Sequence, residues 1–281
     1  MIAICPNPYR DVQCETSRLV AAMLRKAGFE SLICPLYSGE DDGSIPANLP
    51  VGKLSEEAGR CSLAVVIGGD GTILEAVRQL HGATVPILGV NLGTKGFMTA
   101  LEQDELDLIL NAARGEYKIS RRMMLRVELR RGGETICCDH ALNDAVIHGY
   151  GECVKITAWC EGDRMTGFTG DGVILSTPTG STGYSMSAGG PIVEPDAENI
   201  ILSPICAHVM GVRSFVLDPS RIVTIRTELQ HGRRAYLSVD GAQGIDVQSG
   251  DELVVSRAKH ATLMVDMGRK SFYELAFEKL T

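Results

Sequence analysis

No apolar run in this 281-residue chain approaches the ~18 residues that a membrane-spanning helix requires, so no span is expected. An excess of positive charge is missing as well. Lys and Arg number 27 against 35 Asp and Glu, a net charge of −8. A nucleic-acid partner or an anionic membrane surface calls for a basic face or stripe, and neither partner is expected. Nine cysteines are present, at 5, 14, 34, 61, 137, 138, 153, 160 and 206, but no CxxC pair and no matching His spacing accompanies them. That excludes a zinc site or disulfide framework on spacing and points to free thiols in a reducing cytoplasm. The start, MIAICPNPYRD, lacks the basic region of a signal peptide and meets Pro6 and Pro8 at once, so it reads as a first strand. Internal repeats and low-complexity tracts are absent.

What remains is an ordinary globular composition, 44% apolar and 22% charged, with enough length for two domains. Over 1–120, short apolar runs alternate with amphipathic helical patterns. IAIC (2–5), SLICPL (31–36), SLAVVI (62–67) and VPILGV (85–90) read as strands. One helix is expected to bury Leu19, Val20, Met23, Leu24 and Ala27 and to stop at Gly28; others cover 72–81 and 103–114. Residues 38–53 read as a polar surface loop. This order implies an α/β domain with a parallel, Rossmann-like sheet. From residue 121 the pattern turns β-rich, with a hairpin signal at Arg131-Gly132-Gly133 and further β-type runs at 153–160, 172–176, 222–227, 235–239 and 252–255. A sandwich over 121–281 is expected, its last ~20 residues returning to the first domain and closing as a short helix or strand at 271–280.

Gly68-Gly69-Asp70-Gly71-Thr72 falls at the carboxyl end of a strand and before a helix, the edge where open α/β sheets bind ligands. Glycines let backbone approach a phosphate, and amides at a helix start favour anions. Asp70 is the anomaly. Asp-Gly is a common turn and Asp a common helix cap, which gives it a structural reading; its strand-to-helix setting favours a functional one. The Walker lysine and the GxGxxG spacing are both missing, so this is a phosphate site of another type.

A second stretch, DGVILSTPTGSTGYSMSAGGPIV, begins at Asp171. Eight of the twelve residues from 176 to 187 carry a hydroxyl, which suits a ligand with many polar edges such as a nucleotide, or else a polar surface loop.

GGDGT resembles the loop shared by NAD kinases, lipid kinases and phosphofructokinases. The second stretch is similar to the most distinctive motif of the bacterial-type NAD kinases, with Gly183 where that family usually has Ala. GVNLGTKGFM (89–98), LNDAVI (142–147), SPICAHVMGVRSFVL (203–217) and LSVDG (237–241) resemble further blocks in the family's order. Asp144 replaces a usual Glu, Ala242 a usual Gln, and VRSF the usual RP. A His in an apolar run is more often structural than a ligand, so His208 and Arg213 stay outside the predicted site.

The resemblance implies phosphorylation of the adenosine-ribose 2′-hydroxyl of NAD by ATP, giving NADP, with NAD held between two domains. It makes Asp70 the base, left unpaired enough to take the hydroxyl proton. It places the donor phosphates over Gly68, Gly69, Gly71 and Thr72, and NAD on Gly71, Asn143, Asp144, Asp171, Thr182, Gly183, Tyr184, Ser185, Met186 and Ser187. It further implies a divalent cation, Mg²⁺ by expectation, without an all-protein metal site, and a homodimer or homotetramer with sites near subunit interfaces. Two other readings stay open at this point: a kinase of the same loop type with a lipid or sugar acceptor, and an NAD- or NADP-binding sensor without turnover, for which Asp70 would be dispensable.

Overall fold

The computed structural model describes residues 1–37, 45–46, 49–93, 96–209, 211–229 and 232–280. Much of the loop expected at 38–53, and Thr94 and Lys95 of the 89–98 block, lie outside the described residues. The chain divides into two units, Met1–Arg121 with Thr262–Thr281, and Arg122–Ala261.

The first unit begins β1 (Ile2–Pro6), α1 (Glu15–Lys26), β2 (Ser31–Ile33), α2 (Leu54–Glu57), β3 (Leu63–Gly68), α3 (Asp70–Leu80), β4 (Ile87–Asn91) and α4 (Ile109–Ala113). Its strands pair in parallel in the order β2-β1-β3-β4. Every residue of β1, β3 and β4 is buried, which is why these strands read as continuous apolar runs rather than alternating ones. Strand β2 is shorter than the apolar run suggests. Cys34 and Leu36 still donate to Ile4 and Pro6 (2.7 and 2.9 Å), but Pro35 between them has no N–H to give.

Helix α1 stops where expected: Gly28 N–H donates to the Arg25 carbonyl (3.0 Å) and Phe29 N–H to that of Leu24 (2.9 Å), a Schellman end. Its buried face is Thr16, Ser17, Val20 and Leu24, whereas Leu19 is 53% exposed. The buried Asp11 carboxylate sets this rotation by accepting from Thr16 N–H (2.8 Å), Ser17 N–H (3.0 Å) and the Ser17 hydroxyl (2.6 Å). The helix expected over 103–114 is instead a 3-10 stretch, Gln103–Leu108, followed by α4. Glu105 leaves helical geometry there while accepting from Glu102 N–H (3.1 Å) and pairing with Arg269 (2.7 Å).

The second unit is antiparallel. Strands β5 (Lys118–Arg131) and β6 (Glu134–Ala141) form the predicted hairpin across Gly132-Gly133, both at positive φ, as a type I′ turn requires. There follow β7 (Asp144–Gly149), β8 (Val154–Cys160), β9 (Asp163–Gly170), β10 (Gly172–Ser176), α5 (Tyr184–Ser187), β11 (Ile200–Ile205), β12 (Phe215–Leu217), β13 (Val223–Glu228), β14 (Ala235–Val239), β15 (Ile245–Val247) and β16 (Glu252–Asp266). One sheet runs β12-β11-β10-β7-β14-β15; the other contains β16-β13-β8-β9. A single core joins Ile147, Val173, Leu175, Leu202 and Leu237 of the first to Ile156, Ile225 and Leu253 of the second. It is a sandwich. The chain ends in helix α6 (Phe272–Leu280), in the first unit. Among the described residues no helix is long and apolar enough to cross a membrane.

Candidate active site

In the first unit, β3 delivers Gly68 and α3 starts at Asp70, two residues earlier than the apolar pattern suggests. Thr72 causes the difference. Its buried hydroxyl accepts from Gly69 N–H (3.2 Å) and from Asn7 Nδ2 (3.3 Å), closing the first turn back onto Gly69. A Cβ on Gly68 would lie 2.3 Å from that hydroxyl, so only glycine lets Thr72 reach in. The Thr72 side chain and the Gly69 amide therefore hold the loop together. The Asp70 and Gly71 amides, first in the helix, have no carbonyl four residues back and are the natural anion donors.

Asp70 does not cap its own helix. Its carboxylate crosses to the segment after β4 and accepts from Phe97 N–H (2.8 Å) and Met98 N–H (3.1 Å). The expectation of a lightly paired base is thus modified: two amides fix the carboxylate, and each oxygen retains a lone pair for a hydroxyl. Residues 96–98 were legible only as a family block, with no sign of this role.

In the second unit the organising residue is Asp240, absent from the predicted site. It sits at φ +47° in the turn after β14. Its carboxylate accepts from the N–H groups of Leu142 (2.7 Å), Asn143 (2.8 Å) and Asp144 (2.9 Å), presenting the two polar residues side by side at the start of β7. Asp144 is only 7% exposed, and burial together with the Asp240 charge pushes its carboxyl up to about 7. The Asn143 Oδ1 is buried with no partner among the described residues, an acceptor that a ligand hydroxyl would satisfy. Ala242 continues the Asp240 turn, its N–H donating to Val239 (2.9 Å).

The hydroxyl-rich segment makes several hydrogen bonds within the fold. Thr177 donates to the Leu142 carbonyl (2.5 Å), Ser181 both accepts from and donates to the Val193 backbone (3.0 and 3.1 Å), Thr182 donates to Thr179 (3.3 Å), and Ser185 pairs with Ser203 (2.9 Å). These groups tie down a turn. Tyr184, 41% exposed, and the exposed Ser187 face outward, with Gly183 and Met186 part-buried. An Ala at 183, usual in the family, would bring a Cβ 3.3 Å from the Gly180 carbonyl. Gly180 has far less room: a Cβ there would lie 2.2 Å from the Asn143 carbonyl oxygen. Gly180→Ala is therefore expected to cost about 1–3 kcal/mol. Gly71→Ala, with nothing within 4 Å of its Cβ, should leave the denaturant midpoint nearly unchanged.

Asp171 is pinned by its backbone, donating to Ile205 (3.0 Å) and accepting from Gly149 (2.9 Å). Its carboxylate accepts from the Cys153 thiol (3.6 Å), and His208 Nε2 lies 3.3 Å from the same sulfur. A hydrogen bond to Asp171 raises the Cys206 thiol's pKa. The Tyr184 phenol is raised too, first by burial and then by Tyr236, Cys206, Asp171 and Asp144. Asp144, Asp171 and Tyr184 thus share one neighbourhood, together with Tyr236 and Cys206, which lay outside the predicted site.

A glycine loop with a fixed carboxylate at the edge of a parallel sheet, and an Asn-Asp pair on a sandwich, suit a nucleotide phosphotransferase. The comparisons agree. The ATP-NAD kinase N-terminal domain matches residues 2–116 and the ATP-NAD kinase C-terminal domain residues 142–267. The chain belongs to the NAD kinase family. It is 43% identical over 221 residues to NAD kinase of Geobacter metallireducens, covering 78% of each chain, and 33% identical over 284 to that of Natranaerobius thermophilus, covering 100% of this chain and 97% of that protein. A yeast NADH kinase crystallised with NADH superposes with a TM-score of 0.85 at 27% identity, over 99% of this chain and 86% of that one. An Archaeoglobus fulgidus NAD kinase in complex with ATP shares the fold, with a TM-score of 0.76 at 24% identity over 98% of each chain.

Proposed function

We propose that the chain transfers the terminal phosphoryl group of ATP to the 2′-hydroxyl of the adenosine ribose of NAD, giving NADP. The observation that carries this reading is the Asp70 carboxylate, held by two backbone amides at the amide-rich start of α3. Phosphoryl transfer has a loose transition state, so positioning and charge neutralisation supply most of the rate. Asp70 orients the hydroxyl and takes its proton late, which a weak base can do. The first-turn amides receive the donor phosphates. Asn143 and Asp144 offer an amide and a carboxyl to a ribose diol. Asp171, Thr182, Gly183, Tyr184, Met186 and Ser187 contact the rings and sugars of NAD, with Ser185 supporting the turn through Ser203.

Among the described residues no three His, Cys, Asp or Glu side chains converge on a metal position. A divalent cation, Mg²⁺ by expectation, would accompany the donor phosphates and offset their charge. Free cysteines throughout the chain are consistent with a reducing cytoplasm. A homodimer or homotetramer completes the reading, on the family resemblance alone. The experiment is incubation of purified protein with NAD, ATP and Mg²⁺, NADP being detected with an NADP-specific dehydrogenase. Absence of NADP would overturn the assignment.

A further inference from the structure

The loop at 68–72 has no lysine of its own and adds a negative charge where an anionic donor must sit. A cation reaches this neighbourhood from the far end of the sequence. Lys279, on the last turn of α6, sets its Nζ 4.2 Å from the centroid of the Phe97 ring, and the Phe97 amide is one of the two that hold Asp70. Phe272, in the first turn of α6, packs on that same ring with centroids 6.5 Å apart. Arg269, just before the helix, pairs with Glu105 (2.7 Å). The helix is therefore fastened at its start, and Lys279 is carried over the segment that fixes the base.

Burial pushes the Lys279 ammonium's pKa down, while the Asp70 and Glu102 carboxylates draw it back up. The two carboxylates act on it without closing an ion pair: among the described residues no hydrogen bond or salt bridge to its Nζ forms, and its one specific contact is the Phe97 face. A part-buried ammonium with three donors, seated on the ring of the residue whose amide holds Asp70 and drawn on by the Asp70 and Glu102 carboxylates, suits the oxygens of a terminal phosphate.

We propose that Lys279 binds the terminal phosphates of the nucleoside triphosphate donor, standing in for the lysine that the loop lacks. The proposal rests on the reading of ATP as donor at this loop. In the step it serves, the ribose 2′-oxygen bonds to the γ-phosphorus and the bridge from that phosphorus to the β-phosphate oxygen breaks. ADP leaves with the electron pair, and the hydroxyl proton passes to Asp70. Lys279 offsets negative charge on the phosphates as this occurs.

The bland alternative makes Lys279 a strut that docks α6 through its contact with Phe97. Lys279→Met separates the two, since it keeps a long apolar stem on the ring and removes the charge. With Mg²⁺ present, kcat/KM for ATP is expected to fall about 10- to 100-fold. KM for NAD should stay within about twofold and the melting temperature should hold, with Lys279→Arg recovering much of the loss. ATP binding without NAD, followed by calorimetry, should weaken in parallel. Unchanged ATP parameters in K279M would overturn the proposal, as would equal losses toward ATP and NAD accompanied by a lowered melting temperature. Lys279→Gln serves if K279M does not fold. If the wild type makes no NADP, the assignment of function fails on its own. The calorimetry still decides Lys279, because undiminished ATP binding by the variant contradicts its role.

Discussion

Asp70→Asn is expected to lower kcat for NADP formation by about 10²- to 10⁴-fold, with KM for ATP and NAD changed by no more than a few-fold. Asn has the shape of Asp but cannot accept the hydroxyl proton. It also keeps only one oxygen for two donors, so one of the Phe97 and Met98 amides that now bond the carboxylate would face an NH₂ group. That mismatch costs about 1–3 kcal/mol of stability, which a thermal melt resolves from the catalytic loss. Steady-state kinetics on a folded variant is the measurement. Turnover equal to wild type would remove Asp70 from the chemistry and revive a binding protein without turnover.

The second large effect is a pH dependence set by Asp144. Its carboxyl is raised from 3.8 to about 7 by burial and the Asp240 charge. The folded state therefore holds a proton on this group that the unfolded chain has already lost. Stability then falls as pH rises between those two values, since the native state binds more protons there. A shift from 3.8 to about 7 corresponds to at most about 4 kcal/mol. Asp144→Asn removes the term, so the gap in unfolding free energy between variant and wild type should widen in the variant's favour from pH 4 to pH 8. Denaturant titrations at four or five pH values test this, and a gap independent of pH contradicts it. The dependence of KM for NAD on pH should flatten in the same variant, because Asp144, one of the two groups proposed to meet the ribose, is replaced by a side chain that does not titrate.

Local signals made much of the fold legible. Buried parallel strands announced themselves as unbroken apolar runs, and Gly28 and Gly132-Gly133 marked a helix end and a hairpin. Two of the misreadings have a tertiary cause, hydrogen bonds from elsewhere in the chain overriding the local pattern. Leu19 belongs to the apolar stripe of α1 by spacing, yet Asp11 rotates that helix so that Ser17 goes in and Leu19 out. Strand β9, reading DRMTGFTG, has two glycines and no alternation; pairing with β8 makes it a strand.

Of the candidate site, the stretches legible as motifs were those where several needed residues are consecutive, as at 68–72 and 171–187. Asp240 lay in plain view in LSVDG, but nothing local says that its carboxylate collects three amides a hundred positions upstream. Lys279, proposed to meet the donor phosphates, had no signal at all, because its place beside Phe97 comes only from how α6 packs. Hydroxyl content is ambiguous in a particular way: Thr177, Ser181, Thr182 and Ser185 bond within the fold, and composition cannot tell a donor aimed at a ligand from one holding a turn.

The most direct test of the account is ³¹P NMR of the products formed from NAD, ATP and Mg²⁺ by the wild-type protein. One new phosphomonoester is expected, at the 2′-position of the adenosine ribose, growing in step with ADP. ADP released without that resonance, or a phosphoryl group found on any other hydroxyl, would contradict it.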